Sequence, residues 1–236
     1  MKTAQFTAVC WFICAVVGSA LCPLAFGQSP HVRAEEVREY EILVKGRPAG
    51  NATTRITDTD DGLTSVSTDA AVTLDYVVYA YRYEYHGVEV WQGDQLASVD
   101  ARAIDGGAKL ATHARCDSRG SIIEVPGKSP QAAPALTMTT NYWHAPAMRK
   151  GSVLQLLDAD QGAVHAEQIE DVASEQLSVG GCTTHCTHYR LSGDLAADLW
   201  FDDQQRLVRR QSTEDGRPVE ARLTRITANG REMASR

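Results

Sequence analysis

The sequence lacks the short motifs by which most enzymes and nucleotide-binding proteins are recognised. It has no Gly-x-Ser-x-Gly elbow, no His-Glu-x-x-His pair, no phosphate-binding loop and no dinucleotide fingerprint. Residues 58–62 and 158–162 resemble fragments of calcium loops, but they lack the full ligand series and the terminal glutamate, so we interpret them as turns. We therefore expect no cofactor and no enzymatic activity, although distant strands could still bring catalytic groups together.

Long apolar runs are also scarce, since the only one spans residues 8–25. It follows Lys2 and ends in small residues, Ala25 and Gly27, which is the pattern of a secretory signal peptide over residues 1–27. The alternative is an uncleaved membrane anchor, because the run is nearly long enough to span a bilayer. Pro23 and the small-residue end favour cleavage, and no later segment is apolar enough to cross a membrane.

Basic residues are in the minority. Without the leader, 22 Lys and Arg stand against 30 Asp and Glu, a formal net charge of −8. An acidic exported protein is a poor partner for nucleic acid. From the leader and the lack of later apolar runs, we expect a periplasmic or secreted protein that is not integral to a membrane after cleavage. We divide the remainder into a flexible segment at residues 28–38, a single β domain at residues 39–228 and a tail at residues 229–236.

Helical periodicity is missing, and alternation with a period of two replaces it from Tyr40 to Ile226. The clearest example lies in residues 76–91, where four tyrosines alternate with mostly charged residues on the other face: Tyr79, Tyr81, Tyr83 and Tyr85. Turn-rich stretches such as residues 104–109 separate the alternating runs. The pattern predicts an all-β protein with an antiparallel meander and little helix.

Several stretches, taken in order, resemble a family of exported bacterial proteins known as a domain of unknown function. They are YEILVKGRPAGNATTRI, YRYEYHGVEVWQGDQLASVDARAIDGG, TNYWH and GDLAADLWFDDQQRLV. That family is similar to the curved half-barrels that carry lipoproteins or lipids across the periplasm. The resemblance implies a strongly curved antiparallel sheet, a half-barrel or open barrel. It also implies a binding or envelope-maintenance role, with an apolar ligand or a peptide on the concave face.

Two groups of aromatic residues are candidates for ligand binding. The tyrosine stripe, Tyr79, Tyr81, Tyr83 and Tyr85, could line the concave face and hold a lipid or another apolar molecule, or it could simply form the core. Tyr142 and Trp143 follow a long loop and could close one mouth of the half-barrel, either as a structural plug or as a lid over a ligand.

The stretch CTTHCTHY, residues 182–189, combines sulfur and imidazole groups. Oxidation after export favours a disulfide, which we predict between Cys182 and Cys186 across a tight turn, with Cys116 to Cys182 as the competing pairing. The alternative function is copper or zinc handling by a curled loop that brings four ligands together: Cys182, His185, Cys186 and His188. Uncoordinated free thiols are the third possibility.

Overall fold

The fold is described by a computed structural model that covers residues 32–75, 80–145, 148–179 and 181–233. The expected signal peptide, Tyr79 and the last three residues lie outside the described residues. The described part is a succession of sixteen strands without a helix, and none of it is a helix long and apolar enough to cross a membrane.

The strands follow one another along the chain with short connections. They are β1 (Val32–Val44), β2 (Arg47–Thr59), β3 (Leu63–Asp75), β4 (Ala80–Gln92), β5 (Gln95–Asp105), β6 (Ala108–Asp117), β7 (Gly120–Glu124), β8 (Gln131–Ala133), β9 (Met138–Thr139), β10 (Val153–Asp158), β11 (Ala163–Val179), β12 (Cys182–Ser192), β13 (Ala197–Asp202), β14 (Leu207–Glu214), β15 (Arg217–Ala228) and β16 (Arg231–Met233).

All of these strands belong to one curled sheet that does not close. Its order is β8-β7-β6-β5-β4-β3-β2-β1-β15-β14-β13-β12-β11-β10-β9, with β16 paired to β15 as a branch. Neighbouring strands are antiparallel except β9 and β10, which are parallel. The predicted fold class, an all-β protein with a strongly curved antiparallel sheet that forms an open barrel, is confirmed.

The alternation of side chains explains which face of the sheet is buried. On β4, Tyr85, Glu89 and Trp91 point to one face and are buried, whereas Glu84 and His86 point to the other face and are exposed. We call these the inner and the outer face. The β5–β6 hairpin depends on Gly106 and Gly107, whose φ angles of 55° and 97° suit a tight turn.

Buried apolar residues form two clusters, one at each end of the strand order. One cluster includes Trp91, Leu96 and Ile123, and it also contains Leu157 of β10 from the other end of the sheet. The second cluster is built mainly from β10–β15 and includes Leu156, Leu199 and Phe201. Leu157 therefore joins the two ends of the sheet by packing, where no strand pairing runs between β8 and β9 in the described residues.

Two expected boundaries differ from the structure. Strand β1 begins at Val32, so most of the segment 28–38, expected to be flexible, belongs to the sheet because it pairs with β2 and β15. Part of the expected tail, residues 231–233, forms β16 against the end of β15. One continuous sheet thus runs through residues 32–233 of the described chain.

Candidate functional site

The inner face is covered by part of its own chain. Residues 138–145, which we call the inner segment, connect β9 to the loop before β10 and lie against strands from both ends of the sheet. Arg38 of β1 donates a hydrogen bond to the carbonyl oxygen of Trp143. The guanidinium of Arg210 on β14 lies 5.4 Å from the ring centroid of Tyr142. The concave space that a ligand would need is therefore occupied in part by this segment.

A fully buried carboxyl group anchors the inner segment. Glu89 of β4 has no exposed surface and accepts hydrogen bonds from Trp91 Nε1 at 2.9 Å, from Thr139 Oγ1 at 2.6 Å and from Asn141 Nδ2. Burial is the main cause that raises its pKa, and the three donors oppose that rise. Because a buried carboxyl needs such partners, Glu89 fixes the position of the segment on β4.

An aromatic group lies beside this anchor. The ring centroids of Trp91 and Trp143 are 5.7 Å apart in an edge-to-face arrangement, and His144 lies 4.0 Å from Trp143 and 5.1 Å from Trp91. The backbone of His144 also forms an isolated antiparallel β-bridge with that of Arg206 in the β13–β14 hairpin. Burial lowers the pKa of His144 to about 4, so the imidazole is neutral at physiological pH.

The described tyrosines of the stripe lie on the inner face, but each already has a partner there. Tyr81 donates a 2.6 Å hydrogen bond to Asp105, and Tyr83 donates a 3.0 Å bond to Asp160. The hydroxyl of Tyr85, a buried residue, accepts a hydrogen bond from half-buried Asn141. Burial raises the pKa of all three hydroxyls, so they remain protonated donors. Tyr85 is buried, whereas Tyr81 and Tyr83 are half-buried, and Tyr81 is the less enclosed of the two.

The Cys182–Cys186 pairing expected from sequence is not formed. All five residues of CTTHC lie in the extended strand β12, paired to β11 on one side, and Cys182 and Cys186 are therefore roughly 13 Å apart. Cys116 lies on β6 at the other end of the sheet and is also a free thiol. The expected turn is absent because Val179 pairs with Cys182, which places the turn before the motif.

The four residues of the expected metal site are also not brought together. Strand geometry places His185 on the face opposite Cys186 and His188. Instead, His185 bonds to Asp203 at 3.0 Å, and His188 meets Glu175 at 2.9 Å and Asp198 at 2.7 Å. Within the described ranges, no group of three or more His, Cys, Asp or Glu side chains is arranged to hold a metal ion.

The outer face carries a groove that sequence reasoning missed. It has a volume of about 680 Å³, crosses strands β2 to β6, and is lined mainly by apolar surface. Strand alternation directs the apolar side chains of Ala71, Ile104 and Ala111 into it, while Ala70, Ala103 and Leu110, whose side chains point to the inner face, also line it. Ile104 is 38% exposed, which is unusual for a large apolar side chain on a strand whose neighbours Arg102 and Asp105 are polar. A volume of this size falls within the range of small-molecule sites.

Charged side chains surround this groove. His86 Nδ1 lies 2.7 Å from the Asp69 carboxylate on one side, and Arg102 and Lys109 lie on the side of β5 and β6. A signal for the groove was present in the sequence, since Ala71, Ile104 and Ala111 are apolar residues at positions that alternate with the buried face. The same alternation places Glu89 on the tyrosine face, and it could have revealed the buried anchor.

The family model for a domain of unknown function, DUF6134, matches residues 40–224, which is most of the chain. The chain belongs to the DUF6134 family. The expected membership in a family of unknown function is thereby confirmed. No curated protein matches this DUF6134 chain.

One solved structure supports the fold of the DUF6134 chain. It is the β-barrel-like protein of domain of unknown function DUF1849 from Brucella abortus, with 9% sequence identity and a TM-score of 0.61 over 84% of this chain and 99% of that one. A DUF1329 family protein from Desulfovibrio piger is 8% identical over 84% of this chain and 86% of its own. Its TM-score of 0.16 is too low to support a similarity of fold. At these identities, the similarity concerns the fold alone.

Proposed function

We propose that this protein is a non-enzymatic binding protein of the bacterial cell envelope that holds an apolar chain, such as the acyl chain of a lipid, in its outer groove. The leader-like residues 1–27 support export to the periplasm or beyond. The observation that carries the proposal is the 680 Å³ groove with its apolar lining. An acyl chain would cover Ile104 and the alanines around it and remove their apolar surface from water.

The chemistry of the groove suits an amphiphile better than a wholly apolar molecule. Arg102 and Lys109 line one side, and neither forms an ion pair within the described part of the chain. An anionic head group at this side would meet Arg102 and Lys109, while the acyl chain would lie over Ile104 and beside Glu84, the acidic residue of the lining that pairs in register with Ile104. The paired Asp69 and His86 on the other side leave no comparable excess of positive charge there.

The inner face was the site expected from sequence, with Tyr81 and Tyr83 as ligand contacts. We propose binding on the outer face because Tyr83 already donates to Asp160 and Tyr85 already accepts from Asn141 of the inner segment. Tyr81 remains the residue through which an inner-face ligand would be detected. The two faces therefore give opposite expectations for substitutions on them.

The test is binding of a dansyl-labelled fatty acid to the protein without its leader. Ile104→Glu puts a charge into the groove and should weaken binding by about tenfold or more. Ile122→Glu is the matched control, because Ile122 is 47% exposed on β7 but does not line the groove, and binding should be unchanged. Circular dichroism serves as the fold marker for each variant.

The alternatives give distinct results. Loss of binding in Tyr81→Glu with Ile104→Glu unaffected would place the ligand on the inner face and overturn the outer-groove proposal. No binding by the parent protein, together with no lipid retained in native mass spectrometry of protein from its own envelope, would overturn the binding function itself.

A further inference from the structure

In the described residues no strand pairing joins β8 to β9, and one turn bridges this seam together with the Thr139–Glu89 hydrogen bond and the packing of Leu157. The strand order ends at β8 on one side and β9 on the other. The turn between β10 and β11, residues 158–162, lies at this seam and contacts strands from the far end of the order. We call it the closing turn. Its Asp and Gly residues are those from which the sequence predicted a turn at residues 158–162.

The closing turn is held to β4 and β6 by side chains. The hydroxyl of Tyr83 on β4 donates to the carboxylate of Asp160 at 3.0 Å, and Thr112 Oγ1 on β6 donates to the carbonyl oxygen of Asp160 at 3.3 Å. Gly162 fits so closely that a Cβ atom there would lie 2.4 Å from Val125 Cγ2. Packing and two hydrogen bonds thus take the place of a strand ladder.

A buried pair of carboxyl groups lies inside this contact. Asp158 is 7% exposed and hydrogen-bonds to Asp160 within the same turn. Burial first, and then the bond to Asp160 and its charge, raise the pKa of Asp158 to about 8. A hydrogen bond between two carboxyl groups requires a proton on one of them, so the contact between Asp158 and Asp160 depends on a proton that burial helps Asp158 to keep.

The surroundings offer little to compensate a second negative charge. The groups that face the pair are Tyr83 and Tyr85 of β4, Tyr142 of the inner segment and Arg210 of β14. Arg210 is already engaged, since its guanidinium donates to Glu214 at 2.7 Å and covers the ring of Tyr142. Loss of that proton would leave two like charges side by side, with the Tyr83 hydroxyl donating to Asp160 and the backbone N–H groups of Asp160 and Gln161 donating to Asp158.

We propose that the Asp158–Asp160 pair is a proton-dependent latch that keeps the closing turn docked on β4 and β6 and so keeps the seam shut. When both carboxyls are ionised, their repulsion releases the turn from Tyr83, and the seam loosens at this turn, while the hydrogen bond from Thr139 to Glu89 still holds β9 on β4. This regulation is independent of the proposed ligand site on the outer face.

The test is hydrogen exchange with mass spectrometry on the protein without its leader, from pH 5 to pH 9.5, after correction for the intrinsic pH dependence of exchange. Peptides that cover the closing turn should lose protection above pH 8, by up to about tenfold per pH unit for a one-proton latch. Peptides from the middle of β4 and β5 should keep theirs. Asp158→Asn retains a donor toward Asp160 without an ionisable group, so the loss of protection should disappear.

Two further variants keep the test decisive. Asp60→Asn changes an exposed residue of the β2–β3 turn and should behave like the parent protein. Tyr83→Phe removes the donor to Asp160 and should lower protection of the closing turn at every pH. Protection that does not change with pH in the parent, or a loss that persists in Asp158→Asn, would overturn the latch. If Asp158→Asn fails to fold, the Tyr83→Phe variant decides: protection of its closing turn equal to that of the parent protein at every pH would overturn the latch as well.

Discussion

The hydroxyl of Thr139 donates a 2.6 Å hydrogen bond to Oε1 of Glu89, fifty residues earlier in the chain. This contact ties the inner segment to the middle of β4, where the carboxyl group of Glu89 is wholly buried. A carboxyl group in such a place is stabilising only while its partners remain, because a buried unpaired polar group carries its full desolvation cost.

Replacement of Glu89 should therefore be severe. Glu89→Ala leaves the Trp91, Thr139 and Asn141 donors without their acceptor, and we expect the free energy of unfolding to fall by about 3–5 kcal/mol. Urea denaturation monitored by tryptophan fluorescence measures this loss. Glu84→Ala on the outer face of the same strand is the control and should change stability by less than about 0.5 kcal/mol. Equal effects of the two substitutions would show that Glu89 does not anchor the segment.

Trp200 offers a second test, on the opposite half of the sheet. It is 5% exposed, its ring lies parallel to that of His188 at a centroid distance of 4.2 Å, and Arg209 covers it at 5.0 Å. Trp200→Ala should lower the free energy of unfolding by about 3–5 kcal/mol, since it removes a large buried aromatic side chain. Arg82→Ala, at an exposed position of β4, should cost far less. Chemical denaturation with an unchanged m-value would make the comparison valid.

The alternation of residues was sufficient to predict the all-β fold and the inward direction of Tyr81, Tyr83 and Tyr85, because a strand has a period of two wherever one face is buried. The turn at residues 158–162 followed from Asp and Gly alone. The conformation of CTTHC could not be predicted from its residues, since the two glycines before it permit a curl as readily as a strand. Pairing of Cys186 with Glu175 on β11 and Asp202 on β13 decides in favour of the strand.

The inner segment could be placed near a mouth of the barrel from sequence, but its partners could not. Glu89 and Arg38 lie about fifty and a hundred residues before it, and only the curl of the sheet brings them together. The outer groove was missed for a related reason. Its shape depends on the bend of five strands, whereas local alternation shows only which residues share a face.

The reactivity of the cysteines distinguishes the extended strand with free thiols from the Cys182–Cys186 disulfide expected from sequence. Cys186 has no exposed surface, and burial raises the pKa of its thiol to about 11. We expect iodoacetamide to modify Cys182 in the native protein well before Cys186, with all three mature cysteines reactive after unfolding. Peptide mapping of the carbamidomethyl groups measures this order. Recovery of a disulfide-linked peptide that contains both Cys182 and Cys186 would contradict the extended strand.

His144 predicts how stability responds to acid. Its pKa is about 4 in the folded protein, compared with an ordinary value of 6.5, because burial among Trp91 and Trp143 penalises the charged form. The unfolded chain therefore binds a proton between pH 6.5 and pH 4 that the folded protein does not. As pH falls through this window the folded state loses up to about 3 kcal/mol relative to the unfolded state.

The variant His144→Phe keeps an aromatic ring in the cluster but cannot take up the proton. We expect its Tm to change less than that of the parent protein between pH 6.5 and pH 4, so that the difference between the two grows in favour of the variant as the solution becomes more acidic. His113→Phe is the control, because His113 is a partly exposed histidine on β6 that lies 3.1 Å from Asp100. Parallel Tm profiles for parent and His144→Phe across this window would show that His144 is not held neutral by burial.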